Sequence, residues 1–211
     1  MAVRKLIILG AGGHGKVVAD AAESQGAWAS ISFLDDRAGE MSGCLVWPVV
    51  GKLLDFSSLL GDYTDFVVAI GSNEARLKWA KKIVEYNGTL ATVLHPRAYV
   101  SRHAEIGPGT VCLAQSIVNP AAIIGANCII NSGACIEHDC ILEDAVHICP
   151  NATLAGGVIV EQCCTVGAGS VIKPMIRIGK NAYIGAGSAV VKDIPGDCIA
   201  LGVPARPLKS N

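Results

Sequence analysis

From Leu94 to Val190 an apolar residue returns at every sixth position without a break: Leu94, Val100, Ile106, Cys112, Val118, Ile124, Ile130, Ile136, Leu142, Ile148, Leu154, Val160, Val166, Ile172, Ile178, Ile184, Val190. Helical periodicity drifts off such a register within two turns, and no single strand is this long. Four residues after each of these comes a mostly small residue, among them Thr110, Ser116, Ala122, Cys128, Ala134, Cys140, Ala152, Ser170, Ala182 and Ser188. Both phases are expected to point inward, so that one large and one small side chain per step fill a narrow coil. Gly107, Gly125, Asn127, Gly133, Gly167, Gly179, Asn181 and Gly185 suit corners that need positive φ. The pattern predicts a parallel β-helix.

Ahead of residue 94 the period changes. Arg4 to Leu9 reads as a short apolar strand, GAGGHGK as its turn, and Val17 to Gln25 as a helix. Ile31 to Asp36 and Phe66 to Gly71 read as further strands, Ala75 to Tyr86 as a second helix. Alternating strand and helix predicts a small parallel, Rossmann-like α/β domain over residues 1–92, followed by the repeat domain with a C-terminal extension over 93–211. Asn87-Gly88 and His95-Pro96 supply the turn signals between them.

Composition agrees with a solenoid: half of the residues are apolar and only 5% aromatic, because a narrow coil has little room for rings. The net charge of −1 favours neither nucleic acid nor any other polyanion. Charge is nevertheless uneven, with Lys173, Arg177, Lys180, Lys192, Arg206 and Lys209 facing only two acids after residue 170. This is either a solvated end of the coil or a platform for a phosphate-bearing ligand. Cys112, Cys128, Cys140 and Cys164 fall on inward phases and read as small core residues. No signal peptide, spanning segment or CxxC is seen, so a cytoplasmic protein without disulfides or structural zinc is expected.

Gly10, Gly12 and Gly15 satisfy GxGxxG after a strand, with Asp35 twenty residues beyond Gly15. The physical content is an anion site at a helix N-terminus and an acid that can bind hydroxyls, which suits a nucleotide-sugar as well as a dinucleotide. Only three or four strands fit in this domain, too few for the usual dinucleotide fold. His14 and Lys16 stand where they could contact phosphate or sugar, or simply cap and cover the helix. In the repeats, His138 follows the inward Ile136 by two residues, so its side chain should leave the coil. Asp139 beside it could hold one tautomer and stabilise the protonated ring, giving a general base. A surface histidine beside a solvated acid has the same local sequence. His147 comes half an eighteen-residue coil later, and His103 is one residue short of stacking with His138, so no catalytic metal is expected.

These residues carry a resemblance. GAGGHGKVV at 10–18, FLDD at 33–36, VAIG at 68–71, HP at 95–96, INSGACIEHDC at 130–140, HICPNATLAGG at 147–157 and GVPAR at 202–206 resemble, over essentially the whole chain, hexapeptide-repeat sugar acyltransferases with an N-terminal nucleotide-sugar domain. The group includes UDP-4-amino-sugar N-acetyltransferases and sialic-acid O-acetyltransferases. The resemblance implies a left-handed coil, acetyl-CoA as donor, and a homotrimer with active sites between subunits. It further implies His138 as general base oriented by Asp139, His147 on the acetyl group, and Asn131 near the acceptor. Gly12, Gly13, His14, Asp35, Asp36 and Gly51 match nucleotide-sugar positions, and Gly167, Ala168, Gly185 and Ala186 match the pantetheine groove. N-acetylation of a nucleotide-linked amino sugar is the first expectation, O-acetylation of a sialic acid or related sugar the second. A nucleotide-sugar sensor or scaffold is a non-enzymatic alternative, disfavoured by the outward His138-Asp139 pair.

Overall fold

A computed structural model describes residues 4–41 and 43–208, so Lys209 of the basic C-terminal set lies outside the described residues. The chain divides into two compact units, Met1–Pro96 and Arg97–Asn211. The division falls at the His95-Pro96 turn signal. The strand Val93–Leu94 packs on the first helix, where the Leu94 amide donates to Gln25 Oε1 at 2.9 Å.

The first unit runs β1 (Lys5–Leu9), α1 (Gly13–Gln25), β2 (Ser30–Leu34), β3 (Val49–Gly51), β4 (Asp65–Val68) and α2 (Asn73–Glu85). Its parallel sheet has the order β3-β2-β1-β4. Leu6, Ile7, Ile8 and Leu9 are all fully buried, which is why β1 reads as an unbroken apolar run rather than an alternating one. The edge strand β3 has no apolar period in the sequence and is added here. α1 begins at Gly13, ahead of the expected Val17, because the glycine loop turns directly into the helix with Gly12 as N-cap. β4 ends at Val68 rather than Gly71, since the Ile70 and Gly71 carbonyls turn to accept from the buried Arg76 guanidinium at 3.0 and 3.4 Å. Around Phe66 the core is completed by Phe56, which meets Trp79 and Tyr86 edge-on at 6.1 and 5.4 Å between ring centroids.

The second unit is a parallel β-helix of hexapeptide repeats. Each two-residue strand pairs with those 18 positions before and after it, as Ile129–Ile130 does with Val111–Cys112 and His147–Ile148. Three strands therefore make one coil, and the coil has three faces. One contains Val111–Cys112, Ile129–Ile130, His147–Ile148, Thr165–Val166 and Tyr183–Ile184; the next Ile117–Val118, Cys135–Ile136, Thr153–Leu154 and Val171–Ile172; the third Ile123–Ile124, Ile141–Leu142, Ile159–Val160 and Arg177–Ile178. The aliphatic phase from Cys112 to Val190 is inside, no member more than 2% exposed, whereas Leu94, Val100 and Ile106 are only half-buried. The small phase is inside too, and two of its hydroxyls bond the backbone of the next coil: Thr110 Oγ1 donates to the Gly125 carbonyl at 2.8 Å and Ser170 Oγ to that of Gly185 at 2.9 Å. Cys128, Cys140 and Cys164 make the corresponding thiol contacts to Glu143, Ala155 and Gly179 carbonyls, which explains why Ser, Thr and Cys share this position.

The corners correct one expectation. Positive φ recurs every sixth residue from Gly109 through Gln115, Ala121, Asn127, Gly133 and Asp139 to Gly187. Of the expected corner residues, Asn127, Gly133 and Asn181 are in this series, but Gly107, Gly125, Gly167, Gly179 and Gly185 are not. Those five have no room for a side chain. A Cβ on Gly167, for example, would lie 2.5 Å from the Ile184 carbonyl oxygen of the next coil.

Candidate active site

Asp139 occupies one of the left-handed corners, at φ 61°. That conformation, which Asp tolerates better than most residues, brings its carboxylate back onto the preceding ring. His138 Nδ1 and Asp139 Oδ2 are 2.6 Å apart. A carboxylate only accepts, so the proton sits on Nδ1 and Nε2 presents its lone pair. Both side chains leave the coil, 63% and 66% exposed. The hydrogen bond to Asp139, helped by the charges of Asp139 and Glu137, raises the His138 pKa above the ordinary histidine value. The arrangement can accept a proton from a nucleophile and hold it.

The matches to acceptor and acetyl positions, Asn131 and His147, come together on another face, with Asn131 Nδ2 3.1 Å from His147 Nε2. Asn131 Oδ1 accepts from the Ser132 amide at 2.9 Å, which turns its amide nitrogen toward the ring. His138 stands at the corner between the face of Cys135–Ile136 and that of Ile141–Leu142. In a three-faced coil this corner is opposite the face that carries His147. One chain thus separates the two histidines. Gly167 and Gly185 stack on adjacent coils next to the paired residues Val166 and Ile184, with Ala168 and Ala186 exposed beside them as a ledge bounded at Gly185 by the Leu201 side chain.

Cys149, which the sequence did not single out, has its Sγ 3.8 Å from His147 Nε2. Burial raises its pKa and keeps the thiol protonated, which disfavours a nucleophilic role. No group of three or more His, Cys, Asp or Glu among the described residues is arranged to hold a metal ion.

In the first unit, Gly12 caps α1 without a side chain and Gly13 is exposed, leaving the helix N-terminus accessible to an anion. Lys16 is exposed on the first turn. Burial, and then the positive charge of Arg76, push the His14 pKa down to about 4. His14 is therefore neutral near pH 7, and any contact it makes with a phosphate is a hydrogen bond rather than an ion pair. Asp35 is nearly buried; its Oδ2 accepts from the Ala11 amide at 2.9 Å and its Oδ1 from Arg37 Nε at 2.9 Å. The Arg37 hydrogen bond dominates and pulls Asp35 down to about 2 despite burial. Asp36 Oδ1 accepts from the Leu53 amide at 3.3 Å, and the Gly51 carbonyl accepts from the Asp35 amide at 3.0 Å. Asp36 and Gly51 thus build the wall behind Asp35. Arg37 and Arg76, which act on the candidate residues Asp35 and His14, were not singled out in the sequence; each is an isolated basic residue with no periodic signal.

Residues 5–83 match the PglD N-terminal domain family, and residues 139–174 match the bacterial transferase hexapeptide family of six repeats. The acetyltransferase domain of PglB from Neisseria gonorrhoeae FA1090, in complex with acetyl coenzyme A, is 36% identical with a TM-score of 0.95, the match covering 98% of this chain and 100% of that one. PerB from Caulobacter crescentus, in complex with CoA and GDP-perosamine, is 36% identical with a TM-score of 0.91 and 99% of both chains covered. UDP-N-acetylbacillosamine N-acetyltransferase of Bacillus subtilis (strain 168) is 38% identical over 114 residues, 53% of this chain; the match spans about half (52%) of that relative's length. The glycine loop, the repeat register and the His138-Asp139 corner thus occur together in a chain that aligns end to end with the two solved structures. The protein belongs to the hexapeptide-repeat sugar acyltransferases that carry a PglD-type N-terminal domain.

Proposed function

We propose that this protein transfers the acetyl group of acetyl-CoA to the amine of a nucleotide-linked amino sugar, a UDP-4-amino sugar being the first choice, in a single direct step. The His138-Asp139 pair carries the reading: a polarised imidazole, outside the coil, with Nε2 available to a substrate. The amine nitrogen attacks the thioester carbonyl carbon while His138 Nε2 takes its proton. The C–S bond then breaks, the proton passes to the departing sulfur, and the products are the acetamido sugar and free CoA. His147, held by Asn131, lies on the acetyl side, and the ledge at Gly167, Ala168, Gly185 and Ala186 receives the pantetheine arm. The open helix N-terminus at Gly12 and Gly13, with His14, Lys16 and Asp35 around it, takes the nucleotide-sugar.

We further propose a cytoplasmic homotrimer with active sites between copies. Its support is geometric: His138 and His147 lie on opposite sides of one coil, so a reaction using both needs a second chain. Ile117, Ile123, Ile141 and Val171 also expose aliphatic surface on coil faces. All nine cysteines are free, and no described helix is long and apolar enough to cross a membrane. Amine rather than hydroxyl as acceptor is favoured by the N-acetyltransferase relative.

The test is release of free CoA from acetyl-CoA with UDP-, GDP- and CMP-linked sugars, amino and hydroxyl acceptors in parallel. Amino sugars alone should respond. Release only with hydroxyl acceptors would replace N- by O-acetylation, and nucleotide-sugar binding without any release would leave the sensor reading.

A further inference from the structure

Gly156 lies one coil above His138, and a Cβ placed on it would stand 2.5 Å from His138 Cε1, 2.7 Å from Nε2 and 3.2 Å from Nδ1. These three ring atoms are the nearest that such a Cβ would meet. The crowding differs in kind from that at Gly167, where rigid backbone stands in the way. Nor does the backbone require glycine: Gly157 has φ 68°, but Gly156 lies outside the positive-φ set. The Gly157 amide donates to the His138 carbonyl at 2.9 Å, which fixes this turn directly over the histidine.

We infer that Gly156 is a positioning residue for the proton-accepting imidazole, its missing side chain forming the seat on which the His138 ring stands against Asp139. The inference rests on the proposed role of His138 as general base. A methyl group at 156 moves the ring, since a side chain can yield where the coil cannot. The ring leaves the carboxylate that polarises it, and Nε2 leaves its place over the turn. The charged groups acting on the ring, Asp139 and Glu137, belong to its own segment; the overlying turn Ala155–Gly157 brings none.

The experiment is Gly156→Ala in the intact protein, with kcat and KM, the pH profile, Tm, and the titration of the His138 ring by NMR, assigned through His138→Ala. Tm should stay level or rise, because the backbone accepts alanine. The ring should titrate at lower pH than in the parent, kcat should fall about a hundredfold, and KM for both substrates should change by less than about twofold. In the double variant Gly156→Ala/His138→Ala, turnover should be no lower than in His138→Ala alone, because one residue acts through the other. An unchanged ring titration, a further loss in the double variant, or loss of folding would each overturn the inference. If the titration shifts while His138→Ala retains full turnover, the seat stands and the general-base reading fails.

Discussion

The glycine loop of the first unit and the His138 corner of the second hold their polar groups in opposite ways. Asp35 is nearly buried and tied to Ala11 and Arg37, and His14 is kept neutral by burial and by Arg76. His138 and Asp139 are mostly exposed and have each other. The first site is preorganised by desolvation and by partners, some near in sequence (Arg37 to Asp35) and some distant (the Ala11 amide to Asp35, Arg76 to His14). The second is preorganised by backbone alone, through a left-handed corner that the repeat makes every six residues. Burial fixes groups strongly but hides them from local sequence, whereas a repeated corner leaves them weakly held and easy to read.

Substitutions can press this contrast from both sides. The largest expected effect is His138→Ala, which should lower turnover by about a hundredfold to ten-thousandfold with little change in Tm, measured as CoA release. Unchanged turnover in pure variant would remove the corner from the chemistry. Asp35→Asn acts on the buried site: it weakens the pairing of Arg37 and the acceptance from the Ala11 amide, and should raise KM for the nucleotide-sugar about tenfold to a hundredfold while kcat stays near the parent value. Equal loss of kcat and KM effects for Asp139 and Asp35 variants would erase the distinction.

Asp139→Asn tests how exposed the corner is at work. A solvent-exposed ion pair contributes little, so the rate should fall by no more than about fivefold. The His138 pKa should fall toward its ordinary value, so the acid limb of the kcat/KM profile should move to lower pH as the rate at its plateau drops. A loss far beyond fivefold would mean that another copy of the chain covers the pair and strips its water. The smallest effect should be at His14. Its folded-state pKa is below the unfolded one, so the unfolded chain takes up the proton first, and stability should decline as pH falls from about 6.5 to about 4. A parallel Tm series on His14→Gln should lack that part of the decline.

The sequence was most informative where local geometry repeats. The hexads established the coil, sorted Cys112, Cys128, Cys140 and Cys164 inward, and turned His138 and Asp139 outward, because a fixed eighteen-residue coil gives each position one direction. GxGxxG located α1 and the acid Asp35 for a similarly local reason. Side-chain contacts that no repeat enforces were not legible. Arg76 reaching the Ile70 and Gly71 carbonyls, Arg37 folding back on Asp35 and Cys149 beside His147 are close in sequence but depend on rotamers, and Gly156 above His138 depends on the packing of successive coils; none leaves a periodic trace.

The chain by itself thus determined an α/β unit, a coil built on a six-residue repeat, and which side chains face out of it, since propensity and register act over a few residues. The tertiary structure alone decided which corner glycines serve positive φ and which serve close approach, that His14 is neutral, and that Gly156 stands against the His138 ring. Those outcomes depend on the distance between backbones one coil apart and on what water can reach, which arise only when distant segments pack.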